Sequence, residues 1–287
     1  MYMLTRSAAD VVLRRADLRA MGMFPKQITR AVRNGELIRV RRDHYLAISS
    51  PDVERAVRVG GRVTCVSLLA MLGVFVFDAS KLHIHVDHSM SRLRSPDDHA
   101  RSYGPRDRTS TVLHWWSTAA GPVATGVVAV EDALAHAIRC QDARSAVATV
   151  DSVLHLGILS LADVRDVFAR LPARFRVILD LADGSAEAGS ETFMRLILRQ
   201  LGLRYRTQVW IDGVGRVDFL VEGWLIVECD SKAHHEGWEK QRSDRRRDLA
   251  AAGRGLVTLR PLAEDLFHHR DEVLAAVRGI VRAHRGR

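Results

Sequence analysis

Apolar residues recur at helical spacing over residues 8–20, at Val11, Val12, Ala16 and Leu18, and Gly22 closes the segment. A second helix is expected from Pro25, with Ile28, Ala31 and Val32 on one face and Lys26, Gln27, Arg30 and Arg33 on the other, ending at Asn34-Gly35. Residues 36–40 and 44–48 then read as two short strands joined by Arg41-Arg42-Asp43. Helix, turn, basic helix and basic hairpin outline a winged helix-turn-helix.

The pattern continues with a strand at 81–87 and helices at 131–140, 143–156 and 161–171. Gly184, Ser185, Gly189 and Ser190 suggest a linker into a last domain. Beyond it the signals sharpen. A helix at 191–201 is closed by Gly202, and strands follow at 205–211, 215–221 and 224–230. A very polar helix at 242–252, a strand at 256–260 stopped by Pro261 and a closing helix at 271–284 complete an αβββαβα order. The expected fold class is therefore α/β in three parts: a DNA-binding winged helix-turn-helix over 1–50, an α/β spacer domain over 51–189, and the αβββαβα domain over 190–287.

Composition supports a folded chain, since 47% of its 287 residues are hydrophobic and no low-complexity tract interrupts them. The net charge of +9 favours an anionic partner. Its distribution is more informative. Residues 1–50 carry ten Lys and Arg against four Asp and Glu, and residues 190–287 carry eighteen against fourteen, whereas 51–189 carry fifteen against sixteen. Two basic segments flanking a neutral spacer suit two modules on one polyanion such as DNA. Cys65, Cys140 and Cys229 form neither a CxxC pair nor a disulfide framework, so reduced thiols are expected. The first residues lead into a charged helix and the longest apolar run, 68–77, is too short for a bilayer. The expectation is a cytoplasmic protein with no membrane partner; a homodimer or a toxin–antitoxin partner is left open.

Two carboxylates stand in otherwise apolar strand sequence: Asp218 in Gly-Arg-Val-Asp-Phe-Leu and Glu228 in Trp-Leu-Ile-Val-Glu-Cys-Asp. A buried carboxylate needs a cation, hydrogen bonds or a metal. A short turn at Glu222-Gly223 can set the two strands side by side, and alternation puts Glu228, Asp230 and Lys232 on one face if the strand continues. Hard oxygen ligands beside a lysine suit Mg²⁺-assisted phosphodiester hydrolysis, with Mn²⁺ as a substitute. His83, His85 and Asp87 also alternate along one strand face, but with no further ligand at a fixed spacing a solvated face is the simpler expectation.

Residues 190–284 resemble the PD-(D/E)XK nuclease superfamily, and within it the small domain of unknown function related to very-short-patch-repair endonucleases. The resemblance is carried by Ser190-Glu191, Gly215-Arg216-Val217-Asp218-Phe219, Val227-Glu228-Cys229-Asp230, His234 or His235, and Arg242 with Asp244-Arg245-Arg246-Arg247-Asp248. It implies a restriction-endonuclease-like domain in which Asp218 and Glu228 hold the metal, Glu191 supports them, and the helix with Arg242, Arg245 and Arg246 grips phosphate. Asp230 stands where the superfamily has its lysine, so Asp230, Lys232, His234 and His235 all stay open as the remaining catalytic group. No zinc-site cysteines of the repair enzymes are visible, and mismatch specificity is not carried over.

Residues 22–46 resemble the winged-helix domain of the AbiEi-like antitoxin family through the basic helix and the Leu37-Ile38-Arg39-Val40-Arg41-Arg42 run before Tyr45. This implies that Lys26, Arg30 and Arg33 enter a major groove while Arg39, Arg41 and Arg42 lie against phosphates. The expected function is metal-dependent DNA cleavage. The alternative is a transcriptional regulator or antitoxin-like DNA-binding protein whose nuclease fold does not cut. An RNA-directed nuclease is less favoured, because no aromatic stacking platform is visible.

Overall fold

The computed structural model describes residues 11–47, 50–119, 125–229 and 238–286. The chain opens with β1 (Leu13–Arg14), α1 (Arg15–Ala20), α2 (Pro25–Arg33), β2 (Ile38–Arg41) and β3 (His44–Leu46), the strands forming a sheet in the order β1-β3-β2. Of the helix expected over 8–20, residues 8–10 lie outside the described residues and residues 11–14 are not helical. Val11 and Val12 are β-branched and favour extended chain, and the Arg14 amide donates to Asp17 Oδ2 at 2.7 Å, starting the helix at Arg15. Pro25 at the first turn and a 2.7 Å bond from the Phe24 amide to Gln27 Oε1 start α2 where its pattern predicts. Leu18, Ile28, Ala31, Leu37 and Tyr45 close a small core beneath these elements.

Next come α3 (Pro51–Val59), β4 (Arg62–Val63), α4 (Cys65–Met71), β5 (Leu82–His85), β6 (Thr111–His114), α5 (Val130–Cys140), α6 (Ala143–His155), α7 (Leu161–Ala169) and α8 (Arg176–Leu181). The strands form the sheet β4-β5-β6, with β5 and β6 parallel. Parallel strands are covered on both faces. This overturns the expected solvated face: His83 and His85 are buried, and Asp87 alone is exposed, 3.2 Å from His85 Nε2.

The remaining elements are α9 (Gly189–Gln200), β7 (Tyr205–Ile211), β8 (Gly215–Val221), β9 (Leu225–Val227), α10 (Trp238–Ala252), β10 (Val257–Leu259), α11 (Ala263–His268) and α12 (Arg270–Arg285). The sheet order is β10-β9-β8-β7, antiparallel except for β10 beside β9. Glu222 and Gly223, with φ of 50° and 81°, make the tight turn from β8 to β9. Val217, Leu220, Ile226 and Ala251 form the core between this sheet and α10.

Contacts divide the chain into two units, Met1–Asp142 with Ile158–Arg176, and Ala143–Gly157 with Val177–Arg287. The expected boundaries at residues 50 and 189 fall inside these units. The segment 185–190 is not an exposed linker. Ala186 is buried, the Asp183 amide donates to Asp151 Oδ1 at 2.6 Å, and Gly184 packs against Leu154 so closely that a Cβ there would lie 2.9 Å from the Leu154 Cβ. The whole is a mixed α/β protein with several small sheets. No helix among the described residues is long and apolar enough to cross a membrane.

Candidate active site

The second unit brings Glu191, Asp218 and Glu228 together from three elements. Glu191 lies in the first turn of α9 and is buried. Its Oε2 accepts from the Glu187 amide at 3.1 Å and from Gln208 Nε2 at 3.0 Å. Asp218 is half-buried in the middle of β8, and its Oδ2 accepts from the Cys229 amide at 2.8 Å. Glu228 follows β9, and its amide donates to Leu259 O at 3.1 Å, so the bond to β10 fixes its place.

The three acids feel one another. Burial, and then the charge of Asp218, push the Glu191 carboxyl up to about 7, against the bonds from Glu187 and Gln208. Burial also raises Glu228. Arg247 pulls it back, and Asp218 adds to the rise. Asp218 is thus the shared neighbour of both glutamates.

Gln208 is a member of this site that the sequence did not reveal. It sits between the ladder pairs Thr207–Phe219 and Val209–Val217, across from Asp218, with a left-handed φ of 51°. Glutamine seldom adopts that conformation. Its Oε1 is buried and has no hydrogen-bond partner among the described residues, and the same holds for Ser190 Oγ. Only a marked φ would have singled Gln208 out, and β-strand alternation cannot show one.

Cations already stand at Glu228. Arg247 Nη2 lies 2.8 Å from Glu228 Oε1 and also donates to Arg216 O, while its Nε donates to Val214 O at 2.9 Å. Arg260 Nη2 is 3.8 Å from the same carboxylate oxygen and 3.0 Å from Asp248 Oδ1. Of the arginine run on α10, Arg247 therefore faces inward as a crosslink to the β7–β8 hairpin. Arg242, Arg245 and Arg246 are exposed. Asp230, Lys232, His234 and His235 lie outside the described residues. Glu191, Asp218 and Glu228 are not among the metal-ligating groups that converge within 4.8 Å; the one such group among the described residues is made of cysteines and histidines in the first unit.

In the first unit, Lys26, Thr29, Arg30 and Arg33 line a shallow depression on the exposed face of α2. Arg39 and Arg42 are exposed on the adjoining hairpin. Arg41 departs from its expected place. It is half-buried, and its guanidinium fills the space over Gly60, where a Cβ would clash with it. Burial and the nearby Arg94 lower its pKa.

No protein-family model matches the chain, and no curated protein matches it.

Proposed function

We propose that this protein binds DNA through the α2 face and the β2–β3 hairpin and cleaves it at Glu191, Asp218 and Glu228 with a divalent cation. The observation that carries the reading is that Asp218, half-buried in the middle of β8 and bonded to the amide next to Glu228, stands near enough to two buried glutamates, Glu191 and Glu228, for its charge to raise the pKa of both. Such an array costs free energy unless cations offset it, as Arg247 and Arg260 do at Glu228.

The residues fit a hard cation. The donors are carboxylate oxygens, the ligand class of Mg²⁺ and Mn²⁺, and Gln208 Oε1, buried beside Glu191 with no partner among the described residues, is a further hard oxygen acceptor there. Asp218 and Glu228 would hold the ion, and when bound it neutralises phosphate charge and lowers the pKa of a water. The chain's own groups do the rest. Glu191, held through its Oε2 by the Glu187 amide and Gln208, supports Asp218 and is the carboxyl that can carry a proton beside it. Arg242, Arg245 and Arg246 present an exposed cationic face to the phosphate backbone. The winged helix-turn-helix outline of α1, α2 and the hairpin supports major-groove docking by Lys26, Arg30 and Arg33, with Arg39 and Arg42 on the flanking backbone.

A second reading has its own observation. Arg247 and Arg260 already neutralise Glu228, which suits a DNA-binding regulator or antitoxin-like protein in which these side chains replace the ion. Nicking of supercoiled plasmid by purified wild-type protein in EDTA, Mg²⁺ and Mn²⁺ separates the two. Cation-dependent nicking supports the nuclease; binding without nicking in either metal leaves the regulator.

A further inference from the structure

The first unit holds a cluster that the acidic site does not use. Cys65 Sγ, Cys140 Sγ and one ring nitrogen each of His83 and His114 all lie within 4.8 Å of one another. Four separate elements supply them. Cys65 opens α4, His83 lies on β5, His114 ends β6 and Cys140 ends α5. We propose that this cluster is a structural zinc site of the Cys₂His₂ type, distinct from the carboxylate site of the second unit and independent of whether that unit cuts DNA.

The geometry is nearly that of a closed tetrahedral site. His83 Nδ1 is 2.9 Å from His114 Nε2, and Cys140 Sγ is 3.8 Å from His83 Nδ1. Zn–N and Zn–S bond lengths imply tetrahedral edges of about 3.4 Å between nitrogens, about 3.6 Å between nitrogen and sulfur, and about 3.8 Å between sulfurs. The two rings need to part by roughly half an ångström. Ligand type selects the ion. Two thiolates and two imidazoles suit Zn²⁺ and not Mg²⁺ or Ca²⁺, and the two thiol protons pass to solvent on binding, which leaves the site neutral.

The surroundings hold the ligands in place. The Thr64 amide donates to His83 O at 3.0 Å, and the His83 amide donates to Ser67 Oγ at 2.8 Å, so the start of α4 is stitched to β5 on both sides of Cys65. Cys65 itself has a φ of 56°, a conformation that non-glycine residues adopt where the surroundings impose it. His136 stands one turn before Cys140 on α5, bonded through Nδ1 to Thr64 Oγ1 at 2.8 Å, with its ring 5.8 Å from that of His114. Trp116 packs on His114 at 4.7 Å and has the Arg139 guanidinium over its ring at 4.5 Å. Cys65, His83 and His114 are buried and Cys140 is exposed, so the ion enters at the C-terminal end of α5.

The test uses untagged full-length protein made in zinc-supplemented medium, kept reduced, and measured for metal by mass spectrometry and for Co²⁺ uptake by absorption. The expected result is one zinc per chain, replaceable by Co²⁺ with thiolate-to-cobalt charge transfer and the intense bands of a tetrahedral centre. Cys140→Ser, at the exposed end of α5, should lose most of the metal while keeping its circular dichroism, and His114→Gln should lose it too. Asp218→Asn with Glu228→Gln should keep it. Wild-type protein that is metal-free and takes up neither ion would overturn the proposal. So would full zinc in Cys140→Ser, loss of zinc in the carboxylate variant, or a Cys65–Cys140 disulfide as the native state.

Discussion

The buried ion pair beneath α9 gives the sharpest prediction about how the acidic site is held. Arg195 and Asp151 are each 1% exposed and their charged atoms are 2.6 Å apart. Asp151 also accepts from Thr192 Oγ1 at 2.7 Å and from the Asp183 amide, and Arg195 Nη1 donates to Leu181 O at 2.7 Å. Thr192 and Arg195 lie on the same helix as Glu191, so Asp151 on α6 sets the rotation of α9. Asp151→Asn keeps most hydrogen bonds but leaves a buried guanidinium without a counter-ion, at a cost of about 3–5 kcal/mol. Arg195→Met leaves the carboxylate unpaired and should cost about as much. The double variant leaves neither charge behind, so its cost should fall short of the sum by up to about 3 kcal/mol. Native-state hydrogen exchange of amides in α9 and β7–β9 reads these values in the second unit itself. Singles costing under about 1 kcal/mol, or additive singles, would refute the claim that this pair anchors α9.

Three further outcomes follow from the same structure. Arg30→Ala with Arg33→Ala should weaken duplex binding and flatten its dependence on log salt by roughly one per lost phosphate contact, and an unchanged slope in a binding titration would move recognition away from α2. Asp107 is buried, and hydrogen bonds from Arg101, the Gly104 amide and Ser95 lower its pKa although burial pushes the other way. A lowered folded-state pKa means that its stabilisation is full above about pH 4 and fades as pH falls below the unfolded value, so Asp107→Asn should cost about 1–3 kcal/mol in urea melts at neutral pH and progressively less in acid. Limited proteolysis should spare 183–189, because Asp183, Gly184 and Ala186 are tied down or buried, and rapid cleavage there would contradict that packing.

Much of the second unit was legible because its signals are local. The strands β7 and β8 lie where alternation and the flanking glycines put them, and the turn at Glu222-Gly223 is written in two residues. Asp218 and Glu228 stood out as charges in apolar strands, and pairing of β8 with β9 makes them neighbours. What stayed hidden depends on tertiary pairing. Cys65 and Cys140 are 75 positions apart, and only the parallel pairing of β5 with β6 sets His83 near His114. The same pairing buries a strand whose alternating histidines look solvated in sequence. Arg41 and Arg247 each belong to a basic run, and no pattern tells which arginine of a run turns inward to fill the space over Gly60 or to bind Glu228.

The most direct test of the acidic site as a nuclease centre compares DNA nicking with DNA binding in Asp218→Asn and Glu228→Gln. Both changes keep side-chain size and remove the charge that would hold a divalent cation. Nicking of supercoiled plasmid in Mg²⁺ or Mn²⁺ should fall by roughly a hundredfold or more in each, since even outer-shell partners of a metal site are worth 10–100-fold. Duplex affinity should be unchanged or tighter, because a carboxylate near phosphate is lost. Nicking that persists at the wild-type rate in Asp218→Asn, with the protein folded and bound to DNA, would contradict the assignment.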